Sequence, residues 1–378
     1  MTASQGWSLL AFLGALSLSQ HVQAQAAEEA YFMDEAETMV PSGSVESDGD
    51  ADGRLGSVRM RRANRVASSL LRQRMASSRP SDLQLLSQAR EAEIIVAAGD
   101  HDRVQDVLAA IGLNHVVVPL HLVPRLPLMT TQTLVLNCDG HVDPAAVAKV
   151  RQFVEAGGYV VSTDWSLNLV AQAFPQTVAR GSQHTRDDVV RVSTSRANHP
   201  LLQHVHSTRD ELRWWLEGQS YPIRILNRRR VEVLLSSRQM RARYGHAPVV
   251  VSFGAGEGRV LHTTSHFYLQ QSQLEGTRAA SAASAFARDL GVGGAALDEL
   301  RRQGLDEVAV GEVAGAYAMQ QLLSNLIVDK RRRNEELLRN YRLQATVESG
   351  LSERPRGNGR LTGEIGPGFL LRELERRG

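Results

Sequence analysis

Apolar and polar residues alternate along the middle of the chain in a way that predicts an α/β fold. Short apolar runs occupy residues 92–98, 115–120, 133–138 and 159–164, with the sequences AEIIVAA, HVVVPL, TLVLNC and YVVSTD. The segment before the last run has the ends of a helix, with Asp143 as N-cap, Pro144 in the first position and Gly157 just past the end. Continuous apolar strands alternating with helices are typical of an open, mostly parallel sheet with helices on both faces.

The pattern changes after about residue 185, where strands follow one another with turns between them. Ala255 to Gly258 is a hairpin turn that joins VVVSF to RVLHTT. Strands joined in this way are antiparallel, so the sheet is expected to be mixed at one edge. The α/β domain is predicted over residues 81–275, a C-terminal helical extension over 276–345 and a mobile tail over 346–378.

The N-terminus carries an apolar run, Leu9 to Leu18, followed by the small-residue sequence VQAQAA. This is typical of a signal peptide over residues 1–26, yet no Lys or Arg precedes the run. The compartment is therefore left open between export, to the periplasm or outside the cell, and the cytoplasm. No later segment approaches the ~20 apolar residues of a transmembrane helix.

Charge is balanced overall, at +2, but unevenly placed. Every charged residue from Glu28 to Asp52 is acidic, and every one from Arg54 to Arg79 is arginine. The two blocks predict a disordered, charged arm over residues 27–80, with a docking segment for a protein partner as the alternative. The basic run from Lys330 to Arg333 is interleaved with acids and has no aromatic platform, so it indicates an ion-paired helix end, and no nucleic acid is expected as a partner.

The order of elements resembles the class I glutamine amidotransferase-like fold, a flavodoxin-like sheet, and within it the trehalose-utilisation-type branch. The resemblance is carried by TLVLNCDG, VRQFVEAGGYVVSTD and GAGEGRVLHTTSHF, within residues 92–270. It implies a nucleophile on a tight turn after the fourth strand, activated by a nearby histidine and acid.

The chain departs from that pattern at the turn. Asp164 stands where the family has its catalytic cysteine, and both flanking glycines are missing. His266 matches the family histidine, but Tyr268 stands where its orienting acid would be. Cys138, the only cysteine, excludes an intrachain disulfide and ends the preceding strand, so it is not expected to replace the nucleophile. Glutamine hydrolysis is therefore not expected.

Polar residues follow the predicted parallel strands at their carboxyl ends, where ligands bind in open α/β sheets. Carboxylates and imidazoles there could hold a divalent metal or activate a water molecule, although no cofactor is required by any motif. The alternative is that Asp100, Asp139 and Asp143 cap helices. The candidate ligand-binding residues are Asp100, His101, Asp139, His141, Thr163 and Trp165, with Asp102 and Cys138 at the same edge.

Two adjacent tryptophans, Trp214 and Trp215, lie in ELRWWLEGQSYPI. On a strand they would point to opposite faces, so one is expected in the core. The other could stack on a sugar ring or a partner beside Arg213 and Glu217, and Trp214 is a candidate ligand-binding residue. The alternative, which the sequence favours, is packing in the core or at an edge of the sheet.

Three functional hypotheses follow. The leading one is a non-catalytic amidotransferase-like domain that binds a small polar ligand or a protein partner at the strand-end crevice. The second is a hydrolase for a carbohydrate or related polar substrate, with Asp164 and His266 as its acid and base. The third is an assembly component that docks through its basic arm.

Overall fold

The computed structural model describes residues 51–194, 196, 198–205, 212–267 and 277–352. The predicted signal peptide, residues 27–50 of the predicted arm and the tail from residue 353 lie outside the described residues. Within them the helices are α1 (Ala51–Ser78), α2 (Pro80–Ser87), α3 (Val104–Ile111), α4 (Pro144–Glu155), α5 (Leu167–Ala173), α6 (Arg238–Tyr244), α7 (Ser284–Asp289), α8 (Gly294–Arg302) and α9 (Val310–Ser352). The strands are β1 (Ile94–Ala98), β2 (Val116–Pro119), β3 (Thr133–Leu136), β4 (Tyr159–Thr163), β5 (Val178–Arg180), β6 (Asp188–Arg191), β7 (Ser193–Thr194), β8 (Arg213–Leu216), β9 (Ile223–Ile225), β10 (Val231–Ser236), β11 (Pro248–Ala255) and β12 (Gly258–Thr263).

The central sheet has eight strands in the order β2-β1-β3-β4-β12-β11-β10-β7. The five strands from β2 to β12 are parallel, and the remaining pairs are antiparallel. Two short sheets, β5 with β9 and β6 with β8, lie apart from it. The prediction of a mostly parallel sheet, mixed at one edge and covered by helices, is confirmed.

Alternate residues of the central strands enter two separate hydrophobic cores. Ile94 and Val96 pack with residues of α1, α3 and α9, whereas Ile95 and Ala97 pack with residues of α4 and α5. The period of two along a strand produces this division, because successive side chains point to opposite faces. Both faces are thus buried, which explains why the strands have continuous apolar sequences.

Helix α1 corrects the prediction of a disordered arm for residues 51–80. Its apolar residues, including Leu70, Leu71 and Met75, are buried in the first core. Some of the arginines of this helix bind within the chain: Arg59 pairs with Glu312 at 2.9 Å, and Arg74 donates to the Leu290 carbonyl at 2.8 Å. The apolar stripe between the arginines, rather than their charge, decides the structure of this segment.

Helix α9 is part of the same core and not a separate extension. Lys330 is only 3% exposed and donates to the carbonyls of Thr130 at 2.5 Å and Gly157 at 2.8 Å. Burial lowers its pKa to about 8. The three arginines that follow pair with acids of other elements, not with those of their own helix: Arg331 with Glu93, Arg332 with Asp82 and Arg333 with Glu257.

The predicted hairpin is present, and its glycines permit a close approach to α4. A Cβ on Gly258 would lie 2.1 Å from the Val154 carbonyl oxygen, and Gly256 has a φ of 56°. The Glu257 N–H donates to the Glu155 carbonyl at 3.0 Å. The hairpin therefore packs on the end of α4, and this fixes the register of β12 beside β4.

Candidate functional site

The parallel pairing of β12 with β4 brings the two candidate catalytic residues to one edge of the sheet. Thr163 and Thr263 are register partners at the carboxyl ends of these strands. Asp164 follows the first directly, and His266 follows the second after two residues. The prediction that the late strand carries His266 to the edge where β4 ends agrees with this pairing.

Asp164 lies on a strained turn at the end of β4. Its φ is 43°, in the left-handed region that non-glycine residues seldom adopt and that costs on the order of 1 kcal/mol. The turn is fixed to the end of β3, because the Ser166 hydroxyl donates to the Asn137 carbonyl at 2.6 Å. A left-handed residue directly after a strand directs its side chain above the sheet edge, as nucleophile-bearing turns do.

Four side chains meet above this turn and are referred to below as the buried cluster. Cys138, Asp164 and His266 are buried, and the fourth, Glu217, is 32% exposed at its edge. His266 Nε2 lies 3.4 Å from Asp164 Oδ2, and the Cys138 thiol donates to the same oxygen at 3.6 Å. Glu217 contacts the other ring nitrogen, Nδ1, of His266. The imidazole is thus held between two carboxylates.

Burial and charge act in opposite directions on the cluster. Burial raises the pKa of the Cys138 thiol to about 11, outweighing its hydrogen bond with His266. Burial alone would lower the pKa of His266, but the hydrogen bonds with Asp164, Cys138 and Glu217 raise it instead. The thiol is therefore protonated near neutral pH and does not act as a nucleophile in this arrangement.

A further buried polar layer lies beneath the cluster on β4 and β12. His262 Nδ1 and the Ser162 hydroxyl are 2.8 Å apart, and neither residue is exposed. Burial lowers the pKa of His262 to about 3, so the ring is neutral. Several buried oxygens near these strand ends have no hydrogen-bond partner within the described part of the chain: Thr163 Oγ1, Asp164 Oδ1, Ser220 Oγ, Thr263 Oγ1, Thr264 Oγ1 and Ser265 Oγ. Such a concentration is unusual, because nearly all buried polar groups in proteins are paired.

Two residues join the loops around the cluster. The Asp102 carboxylate accepts from the Phe267 N–H at 3.1 Å, which ties the loop after β1 to the residue beside His266. Trp165 donates from its indole to the Gln219 carbonyl at 2.9 Å and packs edge-on against the His101 ring. The Trp165 ring also leaves no room for a side chain at position 140, where a Cβ would lie 3.0 Å away.

A cavity of about 420 Å³ lies at the same edge of the sheet, beyond the ends of β1, β2 and β3, and is called the strand-end cavity below. Its polar lining is acidic and imidazole-bearing, and its remaining wall is mostly apolar. Asp164 and His266 do not line it. The lining residues are Ala98, Gly99, Asp100, Pro119, Leu120, His121, Asp139, His141, Asp143, Ala146 and Leu169.

The predicted site residues are thus divided between two places. Asp100, Asp139 and His141 line the cavity, whereas Thr163 and Asp164 are buried, at 0% and 3% exposure. His101 packs on Trp165 outside the cavity lining.

The capping alternative applies to some of these acids and not to others. Asp143 caps α4 by accepting from the Ala145 N–H at 2.8 Å, as predicted. Asp139 accepts from the His141 N–H at 2.7 Å in a local turn. Asp100 caps no helix, since α3 begins after Arg103 without a side-chain cap.

Neither of the two adjacent tryptophans is exposed. Trp214 is 1% exposed and Trp215 is 5% exposed. Trp214 packs in the first core, so it cannot stack on a ligand at the surface, and the alternative of core or edge packing holds for it. The strand that carries both, β8, pairs with β6 and contacts α9, and no local pattern in the sequence indicates these contacts.

Three residues of the site were not assigned a role from sequence. Cys138 is not expected from the sequence to act as a nucleophile because it ends β3, yet its thiol lies beside Asp164. The sequence predicts no acid beside His266, yet Glu217, at the end of β8, contacts its Nδ1. Asp102 is predicted only to lie at the strand ends, yet it accepts from the residue beside His266. Glu217 and His266 are far apart in the sequence, so only the fold could reveal their contact.

A second cavity, of about 600 Å³, lies near the antiparallel edge of the sheet and has the opposite charge. Four arginines and a histidine contribute to its lining: Arg196, Arg224, Arg228, Arg241 and His246. Burial and the charge of Arg224 lower the pKa of His246. The two cavities therefore favour ligands of opposite charge.

No family model and no curated protein matches the chain. Solved structures that resemble it include a glutamine amidotransferase from Thermotoga maritima, with a TM-score of 0.38 and 12% identity, over 64% of this chain and 99% of that one. A ThuA-like protein from Bacteroides uniformis has a TM-score of 0.34 and 12% identity, over 47% and 83%. An exo-β-1,4-mannosidase from Opitutaceae bacterium strain TAV5 has a TM-score of 0.33 and 12% identity, over 52% and 34%, so this chain spans about a third of it.

At such identities and TM-scores these likenesses carry no argument about this chain, so its function is inferred from its own residues. Among the described residues, none of the helices combines the length and apolar character needed to cross a membrane.

Proposed function

We propose that this domain binds a small, hydroxyl-bearing polar ligand in the strand-end cavity and does not convert it chemically. The observation that carries the proposal is the separation of the two places. The cavity has a size typical of ligand sites and lies where open α/β sheets bind ligands. The predicted catalytic pair, Asp164 and His266, is buried and does not line the cavity.

The lining favours a polyol or sugar-like ligand over an anion. Asp100 and Asp139 offer carboxylate oxygens that accept from hydroxyl or ammonium groups, and His121 and His141 can donate or accept. Pro119, Leu120 and Leu169 provide an apolar wall against which the C–H face of a ring can pack. A negatively charged ligand would be repelled by three carboxylates in the same cavity.

The proposal is tested by calorimetric titration of the protein with glucose and glucosamine as probes. We expect binding of at least one probe, stronger for the cationic glucosamine, and at least a tenfold loss in the double variant Asp100→Asn/Asp139→Asn. Asp298→Asn, an exposed acid on α8, is the matched control. The proposal would be contradicted if the double variant bound the probe as tightly as Asp298→Asn does. It would also be contradicted if the wild type bound neither probe.

A hydrolase is the second candidate, and one observation favours it. Asp164 stands on a strained turn in contact with His266, whose far nitrogen is held by Glu217. This order of carboxylate, imidazole and second acid resembles a nucleophile, its base and an orienting group. Because the pair is buried, the activity would require the loops joined by Trp165 to open.

Hydrolysis of chromogenic esters and glycosides by the wild type and by Asp164→Asn separates the two candidates. Turnover abolished by this change would establish the hydrolase. Rates equal to the buffer background in both proteins would remove it. We do not propose glutamine hydrolysis, because Asp164 occupies the turn and the Cys138 thiol is buried and protonated.

Docking through the basic arm is not proposed. Arg59, Arg72, Arg74 and Arg79, all in or beside α1, bind within the chain. A partner would have to displace these contacts.

A further inference from the structure

We propose that Cys138, Asp164 and His266 bind a divalent transition-metal ion, Zn²⁺ above all. One donor atom of each of these side chains lies within 4.8 Å of the other two, and all three residues are buried. Thiolate, imidazole and carboxylate are the three ligand types of protein zinc sites. The Cys138 thiol, protonated in the metal-free site, would release its proton to solvent when the ion binds. The inference concerns the buried cluster and does not depend on a ligand in the strand-end cavity.

Two of the three separations between the donors match those around a tetrahedral ion. Zinc bonds of about 2.0–2.3 Å at tetrahedral angles separate neighbouring donors by about 3.3–3.7 Å. His266 Nε2 and Asp164 Oδ2 are 3.4 Å apart, and Cys138 Sγ and Asp164 Oδ2 are 3.6 Å apart. The third pair, Cys138 with His266, lies within 4.8 Å, so closing around an ion requires these two side chains to adjust.

Glu217 has the position of an outer-shell partner. Histidines that bind metals almost always donate their other ring N–H to a carboxylate or carbonyl, which fixes the ring and makes the ligating nitrogen more basic. Glu217 contacts Nδ1 of His266, so Nε2 is left facing Asp164 and Cys138. Metal binding at Nε2 would account for the contact between Nδ1 of His266 and Glu217, an acid from a distant strand.

The unpaired oxygen of Asp164 is an independent observation at the same place. Asp164 is 3% exposed, and its Oδ1 has no hydrogen-bond partner among the described residues. An unpaired carboxylate oxygen in the interior costs free energy of several kcal/mol. A cation beside the carboxylate would stabilise both oxygens. Three protein donors leave one position for a water molecule, as in zinc sites that keep an open coordination position.

The test uses the full chain, first treated with a chelator and then freed of it, with Co²⁺ as the probe. We expect one Co²⁺ per chain, a near-ultraviolet thiolate-to-cobalt charge-transfer band, and loss of that band on addition of Zn²⁺. Cys138→Ser is expected to abolish the band. Asp164→Asn and Glu217→Gln are expected to weaken Co²⁺ binding about 10–100-fold.

His141→Gln, in the strand-end cavity, is the matched control and should bind Co²⁺ as the wild type does. A wild-type protein that folds but shows no charge-transfer band overturns the inference. So does Co²⁺ binding that His141→Gln weakens and Glu217→Gln leaves unchanged, because the ion would then lie in the cavity. Glu217 is the most exposed member of the cluster, so its variant remains a test if Cys138→Ser fails to fold. Titration of glucosamine into the chelator-treated protein keeps the proposed function separately testable.

Discussion

Cys138 and Asp139 are consecutive residues, yet they belong to two regions of opposite character. Cys138 is 1% exposed and lies in the buried cluster, whereas Asp139 lines the strand-end cavity. Both regions hold acids and histidines at one edge of the sheet. Burial, and not residue type, therefore sets the chemistry of the two regions. Side chains in the buried cluster interact strongly with one another, whereas those in the cavity interact with water and with any ligand that binds there.

The largest expected effect is a loss of stability that follows burial. His266→Ala leaves Asp164 and Glu217 without the imidazole between them, so we expect the free energy of unfolding to fall by about 3–5 kcal/mol. His141→Ala in the cavity should change it by less than about 0.5 kcal/mol. Urea denaturation of chelator-treated proteins measures both values. Similar losses of unfolding free energy in His266→Ala and His141→Ala would contradict the difference between the buried cluster and the cavity.

The pH dependence of stability should sharpen the same contrast. The folded pKa of His262 is about 3, below its ordinary value of 6.5, so the unfolded chain binds a proton that the folded chain does not. His262 therefore does not lower the free energy of unfolding above about pH 6.5. Between about pH 6.5 and pH 3 that free energy falls with falling pH, by up to about 1.4 kcal/mol per pH unit. Denaturation at several pH values should give a shallower slope for His262→Gln than for the wild type. An unchanged slope in His262→Gln would contradict the assignment.

Thiol reactivity reports directly on whether the cluster is closed. With a pKa of about 11 in place of about 9, Cys138 carries about a hundredfold less thiolate at pH 8, and its burial slows the reaction further. We expect a colorimetric disulfide reagent to label the native protein at least a hundredfold more slowly than the urea-unfolded chain. Trp165→Ala should accelerate native labelling, because the indole braces the surrounding loops. Fast labelling of the wild type would mean that the cluster is open.

The smallest expected effect is a difference in stability between two acids of the cavity, one that caps a helix and one that is proposed to bind the ligand. Asp143→Ala removes the N-cap of α4 and should cost about 1 kcal/mol of stability. Asp100→Ala removes a carboxylate that caps no helix, so thermal unfolding should change little while glucosamine binding weakens. If Asp100→Ala destabilised the fold as much as Asp143→Ala, Asp100 would have a structural role.

Much of the fold could be predicted because its signals are local. The apolar strands, the caps Asp143 and Gly157, and the Ala255–Gly258 hairpin each depend on a few neighbouring residues. The basic segment before Arg79 differs, because its blocks of charge predict a mobile arm whereas the apolar stripe of α1 is buried in the first core. The burial of Trp214 is left open by the sequence, because a strand pattern does not reveal what packs against each face.

The candidate site was predictable only in part, for a related reason. Chain order placed Asp164 and His266 at strand ends, and the parallel pairing of β4 with β12 then made them neighbours. Glu217 and Cys138 joined them through contacts between residues distant in sequence, which no local pattern records. The sequence by itself determined the α/β sheet and the position of Asp164 at its edge. Only the tertiary structure decided which polar residues at that edge are sealed together and which face a cavity, because burial depends on the packing of the whole chain.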